Sequence, residues 1–527
     1  MRSQSYVDYF VKGVATILTF QALSLVFGYS LRIFLAKNLS VADYGLFYAL
    51  ISFFTLVQIF RPLGTTTALV KFLPEYITKK EYENAKSLII VTLTIQFLTS
   101  FSLALLILLL AKFLSLKFFK TIEALSPLQI LTLSFLLSFF VDVMRACLQA
   151  FKNMLGISII NLTSIALSFT FVTILFLVKG ASVESCAIGY LIAGIFTGLL
   201  SFKLFLKTFP QFLSARFKLR KSIFKKSLTF GIPALAGGIS SFIITNTDTL
   251  CLTYLKGLVS VGIYQAALPI ARLLLYLVSA ISTVFFPMIS ELYAMKRYAD
   301  ISKAFSLLIK FSFISILPFS AIFLCYPEIT IGMVFGKKFL QAALPLQILT
   351  IAMIFQTLMT IASTTLVGIG KPLLAVKVTS ICAAFNLIAN IALIPKFGVV
   401  GAATATVITF FIGVSVAYKL LNAEMIKHDS SITLDTKSLL KATFSIILST
   451  IYLASIKEII NMNPWAELII TLPTFFILYG LLVIKLRCIK KSEIELMKSV
   501  KLPKKLENIL VRIADKLGFF NYIDNPR

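Results

Sequence analysis

The sequence predicts an all-α integral membrane protein of about fourteen transmembrane helices: two parallel-repeat six-helix lobes plus two C-terminal helices. Three observations carry that reading. Of 527 residues, 58% are hydrophobic and only 14% charged, whereas soluble domains run at about 45–50% apolar and about 25% charged. The apolar residues form continuous runs of about 20, long enough to cross a hydrocarbon core, without the alternation of a β-barrel. The chain also repeats itself: PLQILTLS at Pro127–Ser134 returns as PLQILTIA at Pro345–Ala352, so position 345 repeats position 127 at an offset of 218.

The elements follow in order. The first run, near Gln21, is too long for a signal peptide and lacks a small-residue cleavage site, so it reads as an uncleaved span. Runs near Val57, Phe101, Phe135, Leu167 and Gly194 complete a first lobe over residues 1–215. A basic connector, Arg216–Lys226, opens the second lobe over 216–430, with spans near Ser241, Val278, Ser315, Gln356, Asn386 and Ile408. Two more spans, near Leu448 and Phe476, fill residues 431–487. In the tail, 488–527, Leu506, Ile509, Leu510, Ile513 and Leu517 recur at helical spacing among Lys504, Lys505, Arg512 and Lys516. That pattern predicts an amphipathic helix on the inner membrane surface.

The repeat extends beyond one string. Lys179-Gly180 matches Phe397-Gly398 and Gly13 matches Gly231 at the same offset, and Gly45-Leu46-Phe47 matches Gly262-Ile263-Tyr264 one residue out of step. Six spans return the chain to its starting side. The halves therefore share one orientation, with a pseudo-two-fold axis along the membrane normal and a site expected where lobes meet. This is a transporter architecture, and a monomer is expected.

Charge sets the topology. Lys and Arg number 50 against 22 Asp and Glu, a net +28. In a soluble protein that excess would suggest nucleic acid. Here the basic residues lie between apolar runs, so no nucleic-acid partner is expected. With a cytoplasmic N-terminus, about 35 of them fall in inside loops (Lys71–Lys86, Lys203–Lys226, Lys296–Lys303, Lys419–Lys441 and the tail), against about 10 outside. Both termini are therefore placed in the cytoplasm, and the protein in the cytoplasmic membrane.

Other chemistry is excluded by composition. The six cysteines form no CxxC pair and the single histidine, His428, sits in a polar loop. No disulfide framework, metal site, cofactor or histidine-based catalysis is expected. The outside loops are too short for a catalytic domain, so the chain is not read as an enzyme. Asn38-Leu39-Ser40 matches a glycosylation sequon on an outside loop.

Three stretches carry a family resemblance. Ile33–Leu50 reads IFLAKNLSVADYGLFYAL; Val261–Glu291 contains GIYQAALPIARLL and leads into FFPMISEL; Gly370–Thr406 holds GKPLLAV and FNLIANIALIPKFGVVGAATAT. In this order, over roughly residues 10–480, they resemble the Wzx-type polysaccharide biosynthesis proteins. These are oligosaccharide flippases of the multidrug/oligosaccharidyl-lipid/polysaccharide exporter (MOP) superfamily. The resemblance implies transbilayer movement of a polyisoprenyl-(pyro)phosphate-linked glycan. The anionic lipid-linked glycan and the membrane lipids are then the partners.

Charges inside spans are the default functional candidates. Arg32, Arg61, Arg145, Arg272 and Lys377 are the basic ones, and Lys310 lies near enough to a span end to snorkel. At roughly 3 kcal/mol each, five such groups facing lipid would cost about 15 kcal/mol, so they should face a wet cavity or each other. Arg61 and Arg272 sit in repeat-related spans, and paired guanidiniums suit a diphosphate because the planar fork binds oxyanions bidentately. Lys377 is a secondary phosphate contact or a snorkelling lysine. Asn386 and Asn390, four apart on one helix face, contact sugar or glue helices together. Asp142 and Arg145, three apart, read as a structural pair. The repeat maps Asp248 to within a turn of Arg32, so these two are candidates for an outer gate. Pro62, Pro233, Pro269, Pro287 and Pro318 interrupt spans and either kink or hinge them. The alternative function is a drug or cation antiporter of the same superfamily. It would need an acid in a lobe, and the first span has none between Asp8 and Asp43. The sequence leaves the coupling ion open.

Overall fold

The computed structural model describes residues 2–217, 221–459 and 464–489. The amphipathic helix expected in the tail lies outside the described residues. Among those described, all regular structure is helical. In chain order the helices are α1 (Arg2–Asn38), α2 (Val41–Phe60), α3 (Thr65–Thr78), α4 (Tyr82–Phe113), α5 (Leu125–Ala150), α6 (Met154–Lys179), α7 (Val183–Thr208), α8 (Gln211–Ser214), α9 (Lys221–Lys256), α10 (Leu258–Ala294), α11 (Tyr298–Cys325), α12 (Pro327–Phe335), α13 (Ala343–Gly368), α14 (Pro372–Ile426), α15 (Thr436–Ile459) and α16 (Pro464–Lys485). Among the described residues, eleven helical stretches are long and apolar enough to cross a membrane. Each expected span centre falls in a helix, with Asn386 and Ile408 sharing the 55-residue α14.

Local chemistry sets the breaks. Ser40 caps α2: its hydroxyl accepts from the Asp43 backbone N–H at 3.0 Å and donates to the Asp43 carboxylate at 2.6 Å. This satisfies an N–H that a helix start leaves open. Helix α2 ends at Arg61, itself still helical in φ and ψ; Pro62 has no N–H to continue the ladder, and the backbone turns away at the next residues. A turn with Leu63 and Gly64 at positive φ leads into α3. This short amphipathic helix, unforeseen in the sequence, buries Ala68, Leu69, Phe72 and Leu73. In α14, Pro395 removes a backbone donor and Gly398 takes φ 57°, ψ −127°, which ends one helical arm and starts the next. Pro269 and Pro287 lie within α10 and Pro318 within α11.

The chain divides into two compact units. The first comprises Met1–Ala267, Ile331–Pro345 and Thr379–Thr406. In it α5 packs on α4 and α7, α6 packs on α1 and α7, and α9 packs on α2 and α3. A core cluster in it joins Leu69, Leu88, Met144, Cys147, Phe205 and Phe209. Two glycine contacts bring backbones together without side chains between them. A methyl on Gly45 would lie 1.9 Å from the Leu258 carbonyl oxygen, and one on Gly262 would lie 2.2 Å from that of Val41. A methyl on Gly64 would lie 1.9 Å from the Gly231 carbonyl oxygen. Such approaches are the usual basis of helix association in lipid, where apolar burial supplies no net drive.

The second unit comprises Leu268–Thr330, Leu346–Val378 and Val407–Arg527. Here α11, α15 and α16 pack around Leu317, Tyr326, Ile446, Leu453, Phe475 and Tyr479. Tyr479 donates to the Ile314 carbonyl at 2.9 Å. Lys310 is 1% exposed and lies 3.6 Å from Asp435. It does not snorkel: an aspartate reaches it inside, which spares the lysine the journey to water.

Candidate functional site

Two polar assemblies stand out, both within the first unit. The first lines a cavity of about 430 Å³ bounded by α2, the turn after it, α3, α4 and α5. Arg61 enters this wall from the turn. It sits at the end of α2 rather than well inside the span, because Pro62 stops the helix there. Its carbonyl accepts from Thr99 at 2.6 Å, which fixes the turn. Its Nη1 donates to Ser138 Oγ at 2.6 Å and to the Phe135 carbonyl at 3.3 Å. Its Nη2 donates to Asp142 Oδ2. Arg145 Nη1 reaches the other carboxylate oxygen, Oδ1, at 3.3 Å.

Asp142 therefore bridges two arginines. The expected Asp142–Arg145 pair is present as a contact, and Arg61 joins it as a third member. The side chain of Arg61 is 2% exposed, those of Asp142 and Arg145 31% and 32%. The cluster carries one net positive charge at the wall of a cavity also lined by the uncharged polar Thr55, Gln58, Thr66, Gln96 and Gln149 and the apolar Ile59, Pro62 and Ala146. Gln96 donates to Thr66 at 2.9 Å, and the Nε atoms of both arginines are buried without a hydrogen-bond partner. Such a wall can receive an oxyanion through guanidinium N–H groups and hydroxyl-rich matter through amides.

The second assembly surrounds Asp248 on α9. Asn386 and Asn390 donate to Oδ1 at 3.2 and 2.5 Å. Tyr264 and Thr406 donate to Oδ2, the latter at 2.9 Å. All five residues are buried. Asn390 and Thr406 lie equally far before and after Gly398, so the break in α14 presents both arms to one carboxylate. Asn390 Oδ1 is buried without a partner. As they stand, these groups hold the carboxylate by neutral donors. Among the described residues no group of three His, Cys, Asp or Glu side chains could hold a metal ion.

The remaining candidates are dispersed. Arg32 lies 4.3 Å from the Tyr48 ring and beside Tyr44 and Tyr190. Arg32 and Asp248, the expected gate, keep separate partners in this structure. Arg272 is half-buried on α10 and Lys377 exposed on α14, both in the second unit. Also in that unit, Glu424 receives Lys371 and Lys427 at 2.7 Å each. Its hydrogen bond and charge raise the Lys371 ammonium above the usual lysine range. Reading charges alone missed Ser138, the three glutamines, Tyr264 and Thr406. Gln58, Gln96 and Gln149 were findable, since an amide in an apolar run needs a partner as a charge does.

Comparison with known proteins places this geometry. An uncharacterized membrane protein of Methanocaldococcus jannaschii, MJ1068, is 29% identical over 77% of this chain and 83% of its own length. The protein described as "Probable low-salt glycan biosynthesis flippase Agl15" of Haloferax volcanii is 27% identical over 51% of this chain and 54% of its own. Among solved structures, the lipid II flippase MurJ in an inward closed conformation matches with TM-score 0.71 at 18% identity, covering 92% of this chain and 99% of that one. An inward-facing multidrug resistance MATE family transporter of the MOP superfamily matches at 0.64 and 14% identity, covering 79% and 99%. These two share the fold. A MatE family profile matches residues 233–392. The polysaccharide biosynthesis protein profile matches residues 10–293, more than half of the chain. The chain thus belongs to the polysaccharide biosynthesis protein family.

Proposed function

We propose that the protein moves a polyisoprenyl-(pyro)phosphate-linked oligosaccharide across the cytoplasmic membrane by alternating access, without covalent chemistry. The observation that carries this reading is the Arg61–Asp142–Arg145 cluster on the wall of a cavity that places charged and amide side chains among otherwise apolar helices. A phosphoryl group meets guanidinium N–H donors there, the glutamines and threonines suit sugar hydroxyls, and the lipid tail stays in the bilayer. Family membership and the glycan flippase relative support the substrate class.

The reading extends to the whole chain. Fourteen spans result if the two arms of α14 count separately and α9 and α16 join the eleven apolar stretches. Lobes over 1–215 and 216–430 follow the repeat, with 431–487 as an addition. The loop charge bias puts both termini in the cytoplasm. Arg272 is proposed with Arg61 as a phosphate ligand, Lys377 as a secondary phosphate contact or a snorkelling lysine, and Arg32 and Asp248 as an outer gate. A second reading, a drug or cation antiporter, draws on one observation: a buried carboxylate at Asp248 held by amide and hydroxyl donors.

The test is a flipping assay in proteoliposomes with fluorescent lipid-linked oligosaccharides. Acceleration over empty liposomes is expected. Arg61→Ala should reduce it at least 100-fold with folded protein retained, and Arg61→Lys should recover only part, since lysine keeps charge without the fork. No acceleration for any anionic glycolipid, together with efflux of organic cations, would favour the second reading.

A further inference from the structure

We propose that Asp142 stands in for the substrate's phosphoryl group. It holds Arg61 and Arg145 when the cavity is empty, is displaced when a phosphoryl oxyanion binds, and returns to drive release. This rests on the reading of the cavity as an anion site. Its basis is how the donors are used. Arg61 Nη1 is spent inward on Ser138 and the Phe135 carbonyl, and Nη2 on Asp142. The side chain of Arg61 is 2% exposed and that of Asp142 31%, so the carboxylate lies between the buried guanidinium and the open space. Its second oxygen engages Arg145. One carboxylate thus occupies, oxygen by oxygen, the positions two phosphoryl oxygens would take.

Two consequences follow from charge. Without Asp142, two guanidiniums would face each other in a poorly screened site; with it, the cluster keeps one net positive charge, enough to attract an anion. A tethered carboxylate competes at high effective concentration. A free monocarboxylate brings no more charge than Asp142 and cannot displace it, whereas a phosphoryl group brings up to two charges and more acceptor oxygens. Asp142 is on this argument a specificity residue: it selects phosphoryl-bearing ligands over carboxylate-bearing ones.

The experiment titrates the full-length protein in nanodiscs with inorganic pyrophosphate, a prenyl diphosphate and acetate by calorimetry, comparing wild type with Asp142→Asn. Wild type should bind diphosphate and not acetate. The Asn variant keeps shape without charge; it should bind diphosphate at least ten-fold tighter, gain measurable acetate binding and flip glycolipid more slowly because release slows. Stronger binding of the prenyl form supports the proposal with a lipid-linked ligand, and equal binding of both diphosphates supports it with free phosphate chemistry as the source. If Asp142→Asn binds diphosphate no tighter than wild type, Asp142 only orients the arginines and the proposal is overturned. Should that variant misfold, Asp142→Glu shifts the tethered carboxylate by one methylene; unchanged diphosphate affinity would overturn the proposal equally. Flipping without diphosphate binding in any variant would instead refute the anion reading of the cavity, and the proposal with it.

Discussion

Asp248 illustrates what one carboxylate demands at membrane depth. Two amides, a phenol and a hydroxyl converge on it; Asn390 and Thr406 also reach Asn386 Oδ1 and the Ala402 carbonyl, so its loss would fall unequally on the four. Asp248→Ala should therefore destabilise the protein by about 1–3 kcal/mol, the cost of a buried donor that loses its acceptor. Asp248→Asn, which keeps one acceptor oxygen, should lose roughly half as much. Thermal unfolding of the purified protein checks both, and an unchanged midpoint for Asp248→Ala would show that the donors find other acceptors. At this scale the sequence was partly legible. The spacing of Asn386 and Asn390 puts both on one helix face, but their acceptor lies 138 and 142 positions away, beyond any local pattern. The same holds for Arg61. Its charge within an apolar stretch marked it as a candidate, while its partner Asp142, 81 positions on, had already been assigned to Arg145 by proximity in sequence. Short-range spacing finds local pairs; only the fold finds bridges.

At the scale of the element, α14 is the instructive case. Hydropathy separated its two arms at Asn386 and Ile408, because Pro395 and Gly398 interrupt the apolar run. What hydropathy could not supply was the consequence: the break sets Asn390 and Thr406 against one carboxylate. Gly398 at φ 57°, ψ −127° lies outside the regions that side-chain-bearing residues favour, yet a methyl there would meet nothing within 4 Å. Gly398→Ala therefore isolates backbone strain from crowding. It should destabilise the protein by about 1–3 kcal/mol and weaken the Asp248 assembly by misaligning the arms. Unfolding midpoints measured alone and combined with Asp248→Ala check this, since coupled sites give losses that do not add. Helix α3 escaped the sequence reading for a related reason: at 14 residues it is too short to span, and its lysine placed it among the loops.

For the whole molecule, composition and repeat were enough to give the helical membrane class, since both depend on averages that tertiary structure does not alter. Orientation rests on the loop charges and is open to a direct test. Lys80 and Lys120 lie in exposed turns that the topology assigns to opposite sides. In a background without native cysteines, Lys120→Cys should react with a membrane-impermeant maleimide in intact cells, and Lys80→Cys only after permeabilisation. The reverse pattern would invert the topology.

The glycine contacts have a mechanical consequence. Helix α2 meets α10 at Gly45 and Gly262, and the turn beyond its other end meets α9 at Gly64 and Gly231. Packed side chains flank both seams: Tyr44 reaches the Gln265 carbonyl beside the first, and Phe72 packs on Phe230 beside the second. Each seam therefore acts as a close-fitting bearing at one end of a rod, set by touching backbones and steadied by the side chains around it. A single methyl at either seam would act as grit.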